Sequence, residues 1–161
     1  MSTVRKVAAG DACLEEVAAL EILAWGGELD PARVQAERAG LESLLAETDA
    51  ADLAMLVVER GGTVLGVCRV RREIDEAGVW LAYGLAVHPS HRRQGLARLL
   101  YQAALEHARA RGAVTFRAYT HEDNQASRAF HEAMGLGPGV PTVAPDGDRL
   151  ISYAVSIDTL S

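Results

Sequence analysis

The sequence predicts a single α+β domain over residues 1–161. One mixed, mostly antiparallel central sheet is flanked by helices, in the order β-α-α-β-β-β-α-β-α-β-β. Three observations lead there. Segments 95–111 and 126–134 repeat their apolar residues at helical spacing. Two β-rich runs, 53–59 and 63–72, are joined by Arg60-Gly61-Gly62, a hairpin signal. Val79 to Val87 (VWLAYGLAV) is apolar nearly throughout, as suits a central strand covered on both faces. No repeat or linker interrupts the pattern, and a chain of this length forms one core.

Taken in order, Val4 to Ala8 reads as a first strand, and Asp11 precedes a helix with Cys13, Val17, Leu20 and Ala24 on one side. That helix should stop at Gly26-Gly27. Asp30-Pro31 is an N-cap followed by Pro at the first helical position, opening a second helix whose apolar stripe is Val34, Leu41, Leu44 and Leu45. The hairpin and the apolar run follow. In the helix after Gly95, Leu96, Leu99, Leu100, Ala103 and Ala104 form one apolar stripe, and Gly112 is its C-cap. Ala113 to Tyr119 alternates as a strand. Ala126, Ala129, Phe130, Ala133 and Met134 mark the last helix, and Pro145-Asp146-Gly147 turns a strand at 140–143 into a final one at 149–157.

The formal charge of −6 argues against a general nucleic-acid binder, which needs surplus cations to neutralise phosphates. Lys6 is the only lysine. No apolar stretch approaches the roughly 20 residues of a membrane span. The first residues lack a secretory pattern, so a cytoplasmic location follows. Cys13 and Cys68 are far apart and outside any CxxC pattern; they read as two small buried hydrophobes. His88-x-x-His91 has no HExxH or Cys partner, so no metal is expected.

The informative run is Leu85-Ala86-Val87-His88-Pro89-Ser90-His91-Arg92-Arg93-Gln94-Gly95-Leu96-Ala97, a buried strand turning through a basic loop into a helix start. Unpaired N–H groups and the positive end of the helix dipole favour an anion there, and Gly95 lacks the Cβ that would hold a phosphate off the backbone. Arg92, Arg93 and Arg98 add charge. No GxxxxGK[ST] or GxGxxG is present, so the loop is neither a Walker loop nor a dinucleotide fingerprint. It reads as a diphosphate cradle without a metal ligand.

This segment resembles the signature [QR]-x-x-G-x-[GA] of the GNAT superfamily of N-acetyltransferases, which Arg92-Arg93-Gln94-Gly95-Leu96-Ala97 fits. Asn124 to Leu136 resembles that family's second cofactor-contacting helix, and the element order matches from about Val4 to Ile157. The resemblance implies a GNAT-like fold and acetyl-CoA as cofactor. Leu85, Ala86 and Val87 would lie on a strand splayed from its neighbour at a bulge, pairing with the pantetheine arm. The N–H of Val87 would polarise the thioester carbonyl as an oxyanion-type donor. Arg92, Arg93, Gln94, Gly95, Leu96, Ala97 and Arg98 would hold the pyrophosphate.

Asn124 and His131 are seven residues apart, two helical turns, and so are expected to share a cofactor face opposite Phe130. Asn124 also reads as a plain N-cap. His131 stands where many relatives carry a Tyr that protonates the departing thiolate; an imidazole can do so near neutral pH, and a lone helical His is also commonly structural. The apolar run holds no Asp or Glu. Tyr83 and His88 are its nearest titratable groups, Glu73, Asp75 and Glu76 lie in the turn before it, and a water chain is the alternative base. Cys68 reads as core, not nucleophile, which leaves direct attack of an amine on acetyl-CoA.

The resemblance further implies that the acceptor enters between the first two helices and the last β-hairpin loop. Those regions hold Trp25, Glu28, Asp30, Asp146 and Asp148, which suit a cationic amine and read equally as ordinary cap and turn residues. The expected partner is a small-molecule or peptide amine, with no nucleic acid and no membrane, and a homodimer as the assembly to test. Two rivals stand beside the enzyme: a module of the same fold that senses acyl-CoA without turnover, and an interaction domain with no cofactor.

Overall fold

A computed structural model describes residues 1–160. Strand β1 (Ser2–Val7) leads into helices α1 (Leu14–Ala24) and α2 (Pro31–Glu47), then the hairpin of β2 (Leu53–Arg60) and β3 (Thr63–Arg72) and the apolar strand β4 (Val79–Val87). Helix α3 (Leu96–Ala110), β5 (Thr115–His121), α4 (Gln125–Ala133), β6 (Val140–Val143) and β7 (Arg149–Ser156) complete the order the sequence predicts. Asp11 holds the turn that precedes α1, its carboxylate accepting the Cys13 N–H at 2.9 Å, while the N-cap itself is Cys13. Asp30 differs from its expected role: its backbone is extended, as a cap requires, but its side chain caps nothing.

The seven strands run β1-β2-β3-β4-β5-β7-β6, and every neighbouring pair is antiparallel except β4 and β5. α3 packs on one face, over Cys68, Val70, Trp80, Ala82, Phe116 and Ala118. α1 packs on the other, over Met55, Val57, Val67 and Ala86. α2 lies outside α1, which explains why only Leu41 of its expected stripe is fully buried while Val34, Leu44 and Leu45 are half-covered. Of the two cysteines Cys68 is buried, but Cys13, at the open start of α1, is only half-buried.

Two irregularities of β4 shape the site. Val67 pairs with Ala86 and Arg69 with Tyr83, so two steps along β3 face three along β4: a bulge over Gly84 and Leu85. Gly84 takes φ +64°, which a side chain would resist. The extra residue reverses which face later side chains meet. Trp80 and Ala82 belong to the α3 side before the bulge, whereas Leu85 and Val87 pack there after it and Ala86 turns to the α1 side. The second irregularity is a parting. β4 pairs with β5 only at Val79↔Thr115, Trp80↔Phe116 and Leu81↔Arg117, while β5 goes on pairing with β7 as far as His121.

Candidate active site

The parting opens into a cleft of about 840 Å³ on the α3 side of the sheet. Its floor is Leu85, Ala86 and Val87; one wall is the loop and helix start at Arg92, Arg93, Gly95, Leu96, Ala97 and Arg98; the other is Asn124, Ala126, Ser127 and Phe130 of α4. The backbone phase along β4 follows from one bond: the His88 N–H donates to Leu65 of β3 at 2.8 Å. Since successive N–H groups of a strand point to opposite sides, that of Val87 points into the opening.

The loop after β4 is shaped for an anion. A short 3₁₀ turn (Pro89–His91) is capped by the His88 side chain, whose Nδ1 accepts the Ser90 N–H at 3.1 Å. Arg93 then adopts φ +62°, a left-handed conformation that costs a non-glycine residue about 1–2 kcal/mol. Gly95 follows at φ +79° as the N-cap of α3. Among the described residues no side chain caps that helix start, and a Cβ built on Gly95 would meet nothing within 4 Å, so the first-turn N–H groups open onto space. The Arg92 guanidinium donates to the carbonyl of Ala24 at 3.2 Å, tying the loop to the end of α1.

Two of the expected cofactor contacts lie elsewhere. Gln94 turns away from the cleft and accepts from Arg60 Nη1 at 3.1 Å. His131 is 2% exposed, on the core side of α4. Its Nδ1–H donates to the carbonyl of Ser127 at 2.7 Å, so Nε2 accepts the Tyr101 hydroxyl at 2.9 Å, and the ring stacks on Tyr153 at 4.9 Å. Burial holds its pKa below the usual imidazole value. The residue that faces the cleft is Phe130, which the sequence placed opposite. The seven-residue argument fails because Asn124 lies outside the helix, as the N-cap, its side chain accepting the Ser127 N–H at 3.0 Å.

On the other side of β4, Tyr83 lines a separate hollow of about 610 Å³ with Arg71, Asp52, Glu73 and Asp75. Arg69 and Arg71 lie 5.9 and 5.4 Å from the centre of its ring. Burial raises its phenol pKa from the ordinary value, which works against a role as base near neutral pH. Among the other expected bases, Glu76 is held by Arg117 at 2.6 and 3.0 Å, which lowers its pKa, and Glu73 sits 3.4 Å from Arg71. Cys68 is no nucleophile, its thiol pushed up to about 12 by burial. No group of three or more metal-type ligands occurs among the described residues, nor does a helix long and apolar enough to cross a membrane.

The model of the acetyltransferase (GNAT) family matches residues 15–136, three quarters of the chain, cradle included. The chain belongs to the GNAT acetyltransferase family. Compared with curated proteins, the sequence matches none. Among solved structures, it is similar to the ribosomal-protein-S18-alanine N-acetyltransferase of Escherichia coli, at 19% identity over 98% of this chain and 94% of that one, TM-score 0.72. It is similar also to the PaiA N-acetyltransferase of Thermoplasma acidophilum in complex with coenzyme A, at 13% identity over 96% and 99%, TM-score 0.72. An aminoglycoside 6'-acetyltransferase type Ii is 15% identical over 96% and 97%, TM-score 0.75. At these identities the likeness establishes the GNAT fold.

Within this GNAT domain, sequence reasoning missed three of the side chains that line the cleft. His91, Ser127 and Phe130 line it, and Trp25, assigned from sequence to the acceptor side, stands 58% exposed on its rim. Phe130 carried a signal that was read the other way: an aromatic on a helix stripe suggests core, yet here it shares the cleft wall with Ser127 and Ala126. Glu28, Asp30, Asp146 and Asp148 are all exposed.

Proposed function

We propose that this protein moves an acetyl group from acetyl-CoA directly to a primary amine on a small molecule or peptide. The observation that carries this reading is the continuity of one cleft from the unpaired backbone of Leu85–Val87 to the uncapped start of α3. The first suits the amide groups of a pantetheine arm and the second its pyrophosphate, whose charge Arg92, Arg93 and Arg98 offset. Asn124 and the ring of Phe130 would flank the arm.

The Val87 N–H points into the opening and would stabilise the oxyanion as the amine nitrogen attacks the thioester carbon. The C–S bond then breaks, the acetyl group stays on nitrogen, and the thiolate takes the proton that nitrogen loses, relayed by water. A thiolate is a stable enough anion near neutral pH to leave without a protein acid, so the burial of His131 is no obstacle. If the acceptor enters between the first two helices and the last hairpin loop, the exposed carboxylates of Glu28, Asp30, Asp146 and Asp148 would suit a cationic amine.

A second reading, an acyl-CoA-binding module without turnover, is favoured by one observation. β4 carries no carboxylate, and its Tyr83 phenol is held above its ordinary pKa. One experiment separates the two. Thermal shift with CoA, acetyl-CoA and longer acyl-CoAs should raise the Tm, since a ligand at 100 times its Kd adds about 2.7 kcal/mol. Thiol release against an amine library should then give turnover. Stabilisation without thiol release would leave the binding module, and no shift at millimolar ligand would remove both.

A further inference from the structure

β4 serves two cavities. Its unpaired end floors the cleft, and on its other face Tyr83 lines the hollow of about 610 Å³. The two are joined along the strand: Tyr83, Gly84 and Leu85 are all partly exposed, between Ala82 and Ala86, which are buried. Leu85 lies two residues beyond Tyr83, about 7 Å along an extended strand. A molecule seated in the hollow therefore has a short open path through the parting to the floor of the cleft.

The hollow carries charges of both signs. Arg72 is taken up by Asp52, which leaves Arg71, Glu73 and Asp75 facing the space. Arg71 stands opposite Leu81, the last residue of β4 to pair with β5 before the parting. Its side chain is 48% exposed, and its guanidinium lies 5.4 Å from the centre of the Tyr83 ring, within cation–π range. It meets Glu73 at 3.4 Å, beyond the usual hydrogen-bond length, and that Glu73 oxygen accepts no hydrogen bond among the described residues. The planar donors of Arg71 are thus open to a carboxylate, and Glu73 and Asp75 to an ammonium. A lone anion or a lone cation would meet one attractive and one repulsive partner. A molecule that bears both charges side by side meets two attractive ones. The rest of the wall is apolar: Leu44, Leu53, Ala77 and the ring of Tyr83.

We propose that Arg71 and Glu73 select the acceptor, an α-amino acid whose side chain ends in a second amine, as that of lysine does. The proposal rests on the acetyl-transfer reading above. The carboxylate takes Arg71, the α-ammonium takes Glu73, the methylene stem crosses the Tyr83 ring, and the terminal nitrogen reaches the thioester at Leu85–Val87. A stem of about four carbons suits the step from Tyr83 to Leu85. The N–C bond formed and the C–S bond broken are those of that transfer, and the proton lost by nitrogen passes through water to the thiolate.

The test compares thiol release from acetyl-CoA with three acceptors: lysine, cadaverine, which lacks the carboxylate, and aminocaproate, which lacks the α-amine. The kcat/KM for lysine should exceed both others by about tenfold or more. Arg71→Gln should erase the preference over cadaverine, and Glu73→Gln the preference over aminocaproate. Lysine no better than cadaverine, or preferences that survive both substitutions, would overturn the proposal and leave acetyl transfer standing. If no amine releases thiol, the transfer reading fails, and titration of lysine into the labelled full-length protein with CoA bound decides the recognition alone. Saturable movement of the Tyr83 ring signals that cadaverine does not produce upholds it; no such movement overturns it.

Discussion

Glu21 of α1 and Arg69 of β3 meet at 2.6 Å with both side chains out of solvent. Arg69 then passes directly over Gly84, where any Cβ would collide with its guanidinium, and beside the ring of Tyr83. The pair is thus a strut against the bulge that turns Leu85–Val87 into the cleft.

Breaking and replacing this pair should have different effects. Glu21→Ala strands a buried guanidinium and should cost about 3–5 kcal/mol, whereas Glu21→Leu with Arg69→Met substitutes apolar groups of similar volume and should be close to neutral. If the strut positions the bulge, the double variant keeps its Tm yet loses about tenfold or more in kcat, with KM for the amine less affected. Thermal melts and steady-state kinetics on both variants decide it; wild-type kcat in the double variant would reduce the pair to packing.

Gly95 and Gly112 offer a matched comparison. Both sit at positive φ with open space where a Cβ would go, one at each end of α3. Gly95→Ala and Gly112→Ala should each lose about 1–2 kcal/mol from left-handed strain. Only Gly95→Ala should also weaken CoA binding, because its methyl group occupies the phosphate's approach. Valine at 95 is a poorer probe than the bare geometry of the motif suggests, since a β-branched residue at that φ strains the helix start itself. Calorimetric titration of CoA into both variants checks the contrast.

Tyr101 and His131 are the place to look for a structural role where a catalytic one was expected. His131→Phe keeps the ring stacked on Tyr153 but orphans the Tyr101 hydroxyl, at about 1–3 kcal/mol. Adding Tyr101→Phe removes both partners and should restore most of that loss. Throughout, kcat for thiol release should stay within about threefold of wild type, while a true acid would show a fall of at least about 100-fold. A double-mutant cycle in stability, run beside the kinetics, separates the two.

His107 should impose a pH dependence on stability. Burial first, with the charges of Arg111 and Lys6 adding, holds its pKa down to about 4 from 6.5. The unfolded chain therefore binds a proton that the folded one refuses between pH 6.5 and 4. The stability this ring contributes is present above 6.5, falls with pH through that window, and levels off below 4, a swing of at most about 3 kcal/mol. Subtracting the profile of His107→Leu from that of the wild type cancels other titrating groups and should leave that limb alone. A difference flat across the window would show that the ring titrates normally.

How much of this could be read beforehand depended on whether a local rule was enough. The helix after Gly95 and the apolar run of β4 declared themselves through periodicity, because each is one segment obeying one packing rule. The parting after Leu81 did not, since the register between parallel strands is set by the crossover helix and not by either strand; only the family resemblance pointed to a splayed strand with a bulge. His131 was misplaced because the rotation of α4 is fixed by what Tyr101 and Tyr153 offer it. The Arg93 backbone left no mark in its residue type. Glu21 did leave one: a carboxylate inside the apolar face Leu14, Val17, Ala18, Ile22, matched by an arginine amid the buried run of β3, is a pair of charges in core positions.

A sheet normally ends at two margins, here β1 and β6. Because β4 and β5 separate after three paired residues, this one carries two further margins in its interior, with amide groups that no strand satisfies. A cofactor arm bound there as proposed would do the work of a missing strand: it would complete the ladder and shield a surface that otherwise invites another chain. The empty protein, held concentrated, should consequently be the form prone to self-association, and its occupant a chaperone of its own host.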